Sequence, residues 1–237
     1  MTYLIFGGAG FIGINFVKLI LSSNVKIVVF DKLTEVSNKK EINNLVYQKK
    51  IIFINEDICN YEKVFFCIKK FEPTYIINFA AETHVDNSIK NPDSFISTNI
   101  VGTYTILKAL QSFKNSKYWN NFRYLNISTD EVYGSLGKND PPFTEESKMC
   151  PNSPYSASKA SADHLVRSYF KTFGLPVLTS NCSNNFGPFQ HVEKLIPLTI
   201  DKCLNLQKIP IYGNGKNVRD WIFVRDHCNV LKLILEN

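Results

Sequence analysis

Tyr3-Leu4-Ile5-Phe6-Gly7-Gly8-Ala9-Gly10-Phe11-Ile12-Gly13 is the stretch on which the fold turns. An apolar run enters glycines at positions 7, 10 and 13, and Ile12, Phe16 and Ile20 then recur at spacing four on one helical face. Strand, glycine turn and helix in this order give the glycines meaning. Gly7 permits the tight turn, Gly10 lets backbone N–H groups approach a pyrophosphate, and Gly13 packs helix against strand. A dinucleotide-binding unit is expected at the start of the chain.

Outward from this turn, the second strand Lys26–Phe30 ends in Asp31, roughly 20 positions past the glycines, where a carboxylate accepts from a ribose 2′-hydroxyl and repels a 2′-phosphate. That favours NAD over NADP. Ile51–Ile54 reads as a third buried strand leading to Asp57 and Ile58, which either face the adenine or start the next helix. A helix over Tyr61–Phe71 stops before Pro73. Tyr75–Phe79 is a fourth strand running into Ala80, Ala81, Glu82, Thr83 and His84, where small residues allow backbone to lie close to a cofactor. His84 alone reads more readily as a hydrogen-bonded structural histidine than as a base. A long helix from about Asp93 to Phe113, a fifth strand over Arg123–Ile127 and a sixth over Pro176–Ser180 complete an α/β, Rossmann-type doubly wound parallel sheet.

Two clusters carry chemistry. Thr129, Asp130 and Glu131 leave the fifth strand at its carboxyl end, where open α/β sheets bind ligands. A hydroxyl and two acids there are equipment for proton transfer, although the segment alone also reads as a helix cap. Tyr155 and Lys159 share a helix face four residues apart. An ammonium beside a phenol lowers the phenol's pKa from near 10, so Tyr155 is expected to exchange protons at neutral pH. After strand five of a dinucleotide fold, this pair suits oxidation of a secondary alcohol. The amide-rich exit Asn181–Pro188 suits carbohydrate hydroxyls or a diphosphate. Lys194 and Arg219 can counter that diphosphate and Tyr212 can stack on a base, while each also reads as ordinary surface.

The 237 residues, 44% hydrophobic and 20% charged with net charge +6, describe a globular chain of one domain and part of a second. No charge block forms an arm for nucleic acid. Six scattered cysteines lack metal-ligand spacing and read as free thiols of a reducing compartment. No apolar run approaches the ~20 residues of a membrane span, and the chain opens into a strand without a cationic leader. The expectation is a cytoplasmic protein without metal, membrane or nucleic-acid partner.

The glycine turn, Ala80–Asp86, Ser128–Gly134, Tyr155–Ser161, Asn181–Pro188 and Val218–Trp221 together resemble the nucleotide-sugar 4,6-dehydratases of the extended short-chain dehydrogenase/reductases, the dTDP-glucose 4,6-dehydratase family above all. Related epimerases share the glycines and the Tyr-Lys pair but usually carry a small neutral residue in place of Asp130-Glu131. The resemblance implies NAD contacts at Gly7, Gly10, Phe11, Ile12, Gly13, Asp31, Lys32, Thr34, Asp57, Ile58, Phe79, Ala80, Ala81, Thr83, Thr98, Tyr155, Lys159 and Asn185. It implies contacts to a nucleotide-diphospho-sugar at Thr83, Thr129, Asn184, Lys194, Leu195, Pro210, Tyr212 and Arg219. It further implies that Tyr155 takes the C4 hydroxyl proton while Thr129 holds that hydroxyl. Glu131 then removes the C5 proton and Asp130 protonates the departing C6 hydroxyl. A homodimer through the Asp93–Phe113 and Tyr155–Phe173 helices is implied too. Thr34–Ser37 and Asn87 depart from the family pattern, which usually has an aromatic, glycine-containing segment and an arginine there. The family also extends several tens of residues beyond the position of Asn237. An NAD-binding domain over 1–188 and a partial substrate region over 189–237 are therefore expected.

Overall fold

The computed structural model describes residues 1–211 and 213–237; the base-stacking expectation for Tyr212 falls outside them. The apolar runs become β1 (Thr2–Phe6), β2 (Lys26–Asp31), β3 (Ile52–Asn55), β4 (Tyr75–Asn78), β5 (Arg123–Thr129) and β6 (Val177–Cys182). They form one parallel sheet in the order β3-β2-β1-β4-β5-β6. The winding direction reverses between β1 and β4, and a crevice opens outside their carboxyl ends. Phe6 is in register with both Phe30 and Asn78, so the ends of β1, β2 and β4 meet at the glycine turn. Gly7 N donates to Phe30 O at 2.9 Å and Phe79 N to Phe6 O at 2.8 Å.

Successive residues of β1 and β2 alternate between the two faces of the sheet, and helices cover both. Tyr3, Ile5, Ile27 and Val29 pack with α1 (Phe11–Ile20) and α2 (Lys39–Tyr47) on one side. Leu4, Phe6, Val28 and Phe30 pack with α3 (Tyr61–Phe71) on the other. Burial on both faces is why these strands read as unbroken apolar runs. β3 corrects the expectation of a third buried strand. It lies at the sheet edge with β2 as its neighbour, and Ile52 is 39% exposed.

After β4 come α4 (Val85–Lys90) and α5 (Asp93–Phe95), and a π-helical segment, Ile96–Gly102, joins α5 to α6 (Thr103–Gln111). The long helix expected here is thus continuous but widened in its middle, a distortion that often marks functional sites. It turns Thr98 and Asn99 into the interior. α7 (Pro154–Phe173) has local signals at both ends. Ser153 accepts from Ser156 N, Pro154 opens the first turn, and Gly174 closes the helix at φ +70.

Beyond residue 183, β7 (Asn184–Phe186) pairs with β8 (Trp221–Phe223) in a small separate parallel sheet, and α8 (Leu195–Leu204) has no buried residue. α9 (Val224–Glu236) returns to the main sheet, where Val224, Cys228, Leu231 and Leu235 are fully buried in the same layer as α1. Among the described residues no helix is long and apolar enough to cross a membrane.

Candidate active site

The crevice at the sheet's carboxyl edge is a cavity of about 620 Å³. Its floor is the glycine turn. Gly7 adopts φ +72, and a Cβ there would stand 2.3 Å from Ala80 N. A Cβ on Gly13 would stand 2.3 Å from Gly7 O. Gly10 is the N-cap of α1 and supplies no side chain to the free N–H groups of the first turn. Those donors lie at the positive end of the helix beside Gly7 and Gly10, where no side chain blocks the approach, and this suits an anionic pyrophosphate.

Asp31 closes one end of the cavity. Its two carboxylate oxygens accept from Ala9 N and Leu33 N, each at 2.9 Å, and burial raises its pKa despite those bonds and the nearby Lys32. Lys32 Nζ lies 3.3 Å from Thr98 Oγ1, 3.5 Å from Asp57 Oδ2 and 3.6 Å from Glu82 Oε1. Asp57 therefore belongs to the cavity wall, and its Oδ1 accepts from Cys59 N, while Asn60 caps α3. Asn99, turned in by the π-helical segment, donates to Glu82 O and to Ser158 Oγ and accepts from Glu82 N. It ties the segment after β4 to α7.

At the opposite end, β5 and α7 bring Thr129, Glu131, Tyr155 and Lys159 onto one wall. A 3₁₀ turn, Asp130–Tyr133, follows β5 directly, and the Thr129 hydroxyl accepts from Glu131 N at 3.3 Å. The same hydroxyl donates to Asp130 Oδ1 at 3.2 Å. Burial raises the Asp130 pKa; its bond from Thr129 and the Arg219 charge act in the opposite direction. Ser156 donates to Glu131 Oε2 at 3.1 Å.

Tyr155 corrects an expectation. Burial pushes its phenol above the ordinary range, and the charges of Glu131 and Asp130 push further, while the Thr129 hydroxyl counters them. Lys159 does not bring it down. The lysine's Nζ donates to Ile127 O at 2.6 Å, and burial lowers its own pKa against the opposing charge of Asp163. Sharing a helix face put the two side chains on one wall but left desolvation as the dominant influence on both.

Every residue expected to contact cofactor lines this one cavity, from Gly7, Gly10, Phe11, Ile12 and Gly13 through Thr34, Ile58, Phe79, Ala80, Ala81 and Thr83 to Asn185. Asn184, Lys194 and Leu195 line it as well. Among the described residues, three expected site residues stand outside the lining. Asp130 sits behind Thr129, Arg219 is exposed but close enough to act on Asp130, and Pro210 is exposed.

The cavity also contains two histidines and a thiol to which the sequence assigns no role in the site. His84 is not the hydrogen-bonded structural histidine expected: its Nδ1 is buried without a partner among the described residues, and the ring faces the cavity. His84 Nε2 and His191 Nδ1 lie 4.0 and 3.5 Å from Glu193 Oε1. Cys182 contributes a thiol that burial raises to about 11. Behind the wall, His227 Nδ1 is 2.8 Å from Asn185 Oδ1.

Residues 4–237 match the family model described as GDP-mannose 4,6 dehydratase. A dTDP-glucose 4,6-dehydratase of Xanthomonas campestris is 48% identical over 99% of this chain and 67% of its own length. The chain belongs to the dTDP-glucose 4,6-dehydratase family. It spans about two thirds of that relative's length. A dTDP-glucose 4,6-dehydratase of Streptomyces venezuelae, solved with NAD and TYD bound, superposes with TM-score 0.90 at 38% identity, covering 99% of this chain and 71% of that one. The family's fold extends to other chemistry: a UDP-glucose 4-epimerase of Thermotoga maritima, solved with UDP-glucose, superposes at TM-score 0.89 and 25% identity over 100% of this chain and 74% of that one.

Proposed function

We propose that this chain carries the active site of an NAD-dependent dTDP-glucose 4,6-dehydratase, a lyase that converts the sugar to its 4-keto-6-deoxy form. One observation carries the reading: an oxidation pair, Tyr155 and Lys159, shares a cavity wall with Thr129 and Glu131, and Asp130 lies directly behind. The same cavity has the glycine floor and the acidic end that suit NAD. Oxidation alone requires no pair of carboxyls, whereas loss of water across C5 and C6 requires a base and an acid.

NAD, held by the glycine turn, Asp31, Lys32, Thr98 and Lys159, would accept the C4 hydrogen as hydride and return it to C6. Thr129 orients the C4 hydroxyl, and Tyr155 accepts its proton as the phenolate, a form that burial and the Glu131 and Asp130 charges oppose in the chain alone and that the positive charge of a bound nicotinamide would favour. The carbonyl formed at C4 acidifies the C5 hydrogen. Glu131, its Oε2 fixed by Ser156, removes that proton. Asp130, whose pKa burial raises, would protonate the departing C6 hydroxyl after turning from behind Thr129 into the cavity. Two neighbouring carboxyls with different surroundings can thus take opposite roles. Lys194, Asn184 and Leu195 support a substrate-diphosphate subsite at the outer part of the cavity. Exposed Ile96, Val101, Tyr104 and Phe170 on α6, α7 and the π-helical segment support pairing of two copies through these helices.

The assay is incubation of the full chain with NAD and either dTDP-glucose or UDP-glucose. A product absorbing in alkali, the mark of a 4-keto sugar, is expected with dTDP-glucose. A C4 epimer would overturn the reading in favour of an epimerase, and binding without conversion in favour of a silent nucleotide-sugar-binding chain.

A further inference from the structure

Asp163 is a buried acid that the steps above do not use. It stands four residues beyond Lys159 and eight beyond Tyr155, so all three occupy one face of α7, and it is 4% exposed. Its Oδ2 accepts from the Ser128 hydroxyl at 2.6 Å and from Asn181 Nδ2 at 3.1 Å, and its Oδ1 accepts from Asn126 Nδ2 at 3.1 Å. All three partners donate. Asn126 Oδ1 already accepts from Tyr124 and Asn78, so a proton on Asp163 would find an acceptor among these groups only if the Ser128 hydroxyl turned round. Burial raises the Asp163 pKa, while the bonds from Ser128, Asn181 and Asn126 and the Lys159 charge act to keep it ionised, and a buried carboxylate needs such a compensating charge.

Lys159 is the cation that faces it. Cys182 from β6 is the other titratable group that acts on this ammonium; Asp130 and Glu131 from the turn after β5 act on Tyr155, one turn earlier on the same helix. Among the described residues, neither oxygen of Asp163 takes a hydrogen bond from Lys159, whose bond goes to Ile127 O. Ser128, Asn126 and Asn181 occupy the carboxylate and leave the remaining ammonium protons for the cavity side. A carboxylate bonded directly to Lys159 would consume those protons.

We propose that Asp163 is a positioning residue of this site: caged by Ser128, Asn126 and Asn181, its carboxylate is the buried countercharge that keeps the Lys159 ammonium charged beside Tyr155. The inference rests on the reading of Tyr155 and Lys159 as the oxidation pair, and its primary test needs no turnover. In the full chain without cofactor, the ¹³Cε resonance of Lys159, assigned by its loss in Lys159→Met, is followed against pH. Asp163→Asn removes the charge, so Lys159 loses its proton about 1 to 2 pH units lower, while Asp163→Glu keeps the native midpoint. An unmoved midpoint in Asp163→Asn overturns the proposal. With NAD and dTDP-glucose, the alkaline limb of the kcat profile moves down by the same interval, KM changes less than about twofold, and kcat at neutral pH falls about tenfold. A uniform fall across pH marks a merely structural acid and also overturns it. A shifted midpoint in a chain whose native form never converts the sugar supports the countercharge and refutes the dehydratase reading instead. Should Asp163→Asn fold poorly, Lys159→Met/Asp163→Asn is compared by thermal melting. A double variant melting above Asp163→Asn supports charge pairing, and one melting no higher overturns it.

Discussion

The Ser156 hydroxyl donates to Oε2 of Glu131 at 3.1 Å, and Ser153 Oγ stands 2.7 Å behind it, so the capped first turn of α7 holds the carboxylate at the end of β5. If Glu131 is the C5 base, Glu131→Gln should still oxidise C4, seen as reduced cofactor on the protein, but fail to exchange the C5 hydrogen with solvent. Turnover should fall by about 10² to 10⁴. Ser156→Ala frees the carboxylate without removing it and should lose about tenfold in kcat. Unchanged turnover in Glu131→Gln would remove it from the mechanism.

Asp31 should set the choice of cofactor. Its carboxylate is fixed by Ala9 N and Leu33 N and carries the negative charge at that end of the cavity. Asp31→Asn is expected to weaken NAD binding about tenfold and NADP binding less, because repulsion of a 2′-phosphate is relieved. Fluorescence titration with both cofactors measures the ratio. An unchanged ratio would place discrimination elsewhere.

Gly13 and Gly174 make a matched pair for separating crowding from backbone strain. A methyl on Gly13 meets Gly7 O at 2.3 Å, whereas one on Gly174, at φ +70, has nothing within 4 Å. Gly174→Ala should lose about 1 kcal/mol, the penalty of the left-handed conformation. Gly13→Ala should lose about 3 kcal/mol and, unlike Gly174→Ala, abolish NAD binding. Thermal melts and a cofactor titration on both variants decide the point.

His227 should make stability fall in mild acid. Burial lowers its pKa to about 4, below the ordinary value of 6.5, so the folded protein resists protonation that the unfolded chain accepts. A depressed pKa contributes stability that is present above about 6.5 and is lost as pH falls toward 4. The gap corresponds to roughly 3 kcal/mol at most. Urea midpoints of the native chain and His227→Asn, compared from pH 7.5 to 4, should converge as pH falls. A constant difference would show that the ring's proton is not involved.

The parts of the site that were legible in the sequence share one property: their residues sit at short, fixed offsets. The glycines of the first turn, Tyr155 with Lys159, and Thr129 with its two acids each lie within one turn or one helix face. Asp163 had the same signal, one helical turn past Lys159, but its partner Ser128 is 35 residues away and gave no sign of facing it. His227 reaches Asn185 across 42 residues. The amphipathic pattern of α9 marked a buried face without naming α1 as its neighbour, and the apolar run of β3 could not tell an edge strand from a central one.

Local pattern was therefore enough to write down the strand, turn and helix order, the nucleotide end of the crevice and the chemistry of its opposite wall, because backbone periodicity and glycine sterics act over a few residues. The protonation states were not available from it. Whether Tyr155 is tuned by Lys159 or governed by burial, and whether Asp130 faces the cavity or stands behind Thr129, depend on groups from β5, β6 and α7 that meet when the sheet closes. Desolvation depends on everything packed around a group, and spacing along the chain does not encode it.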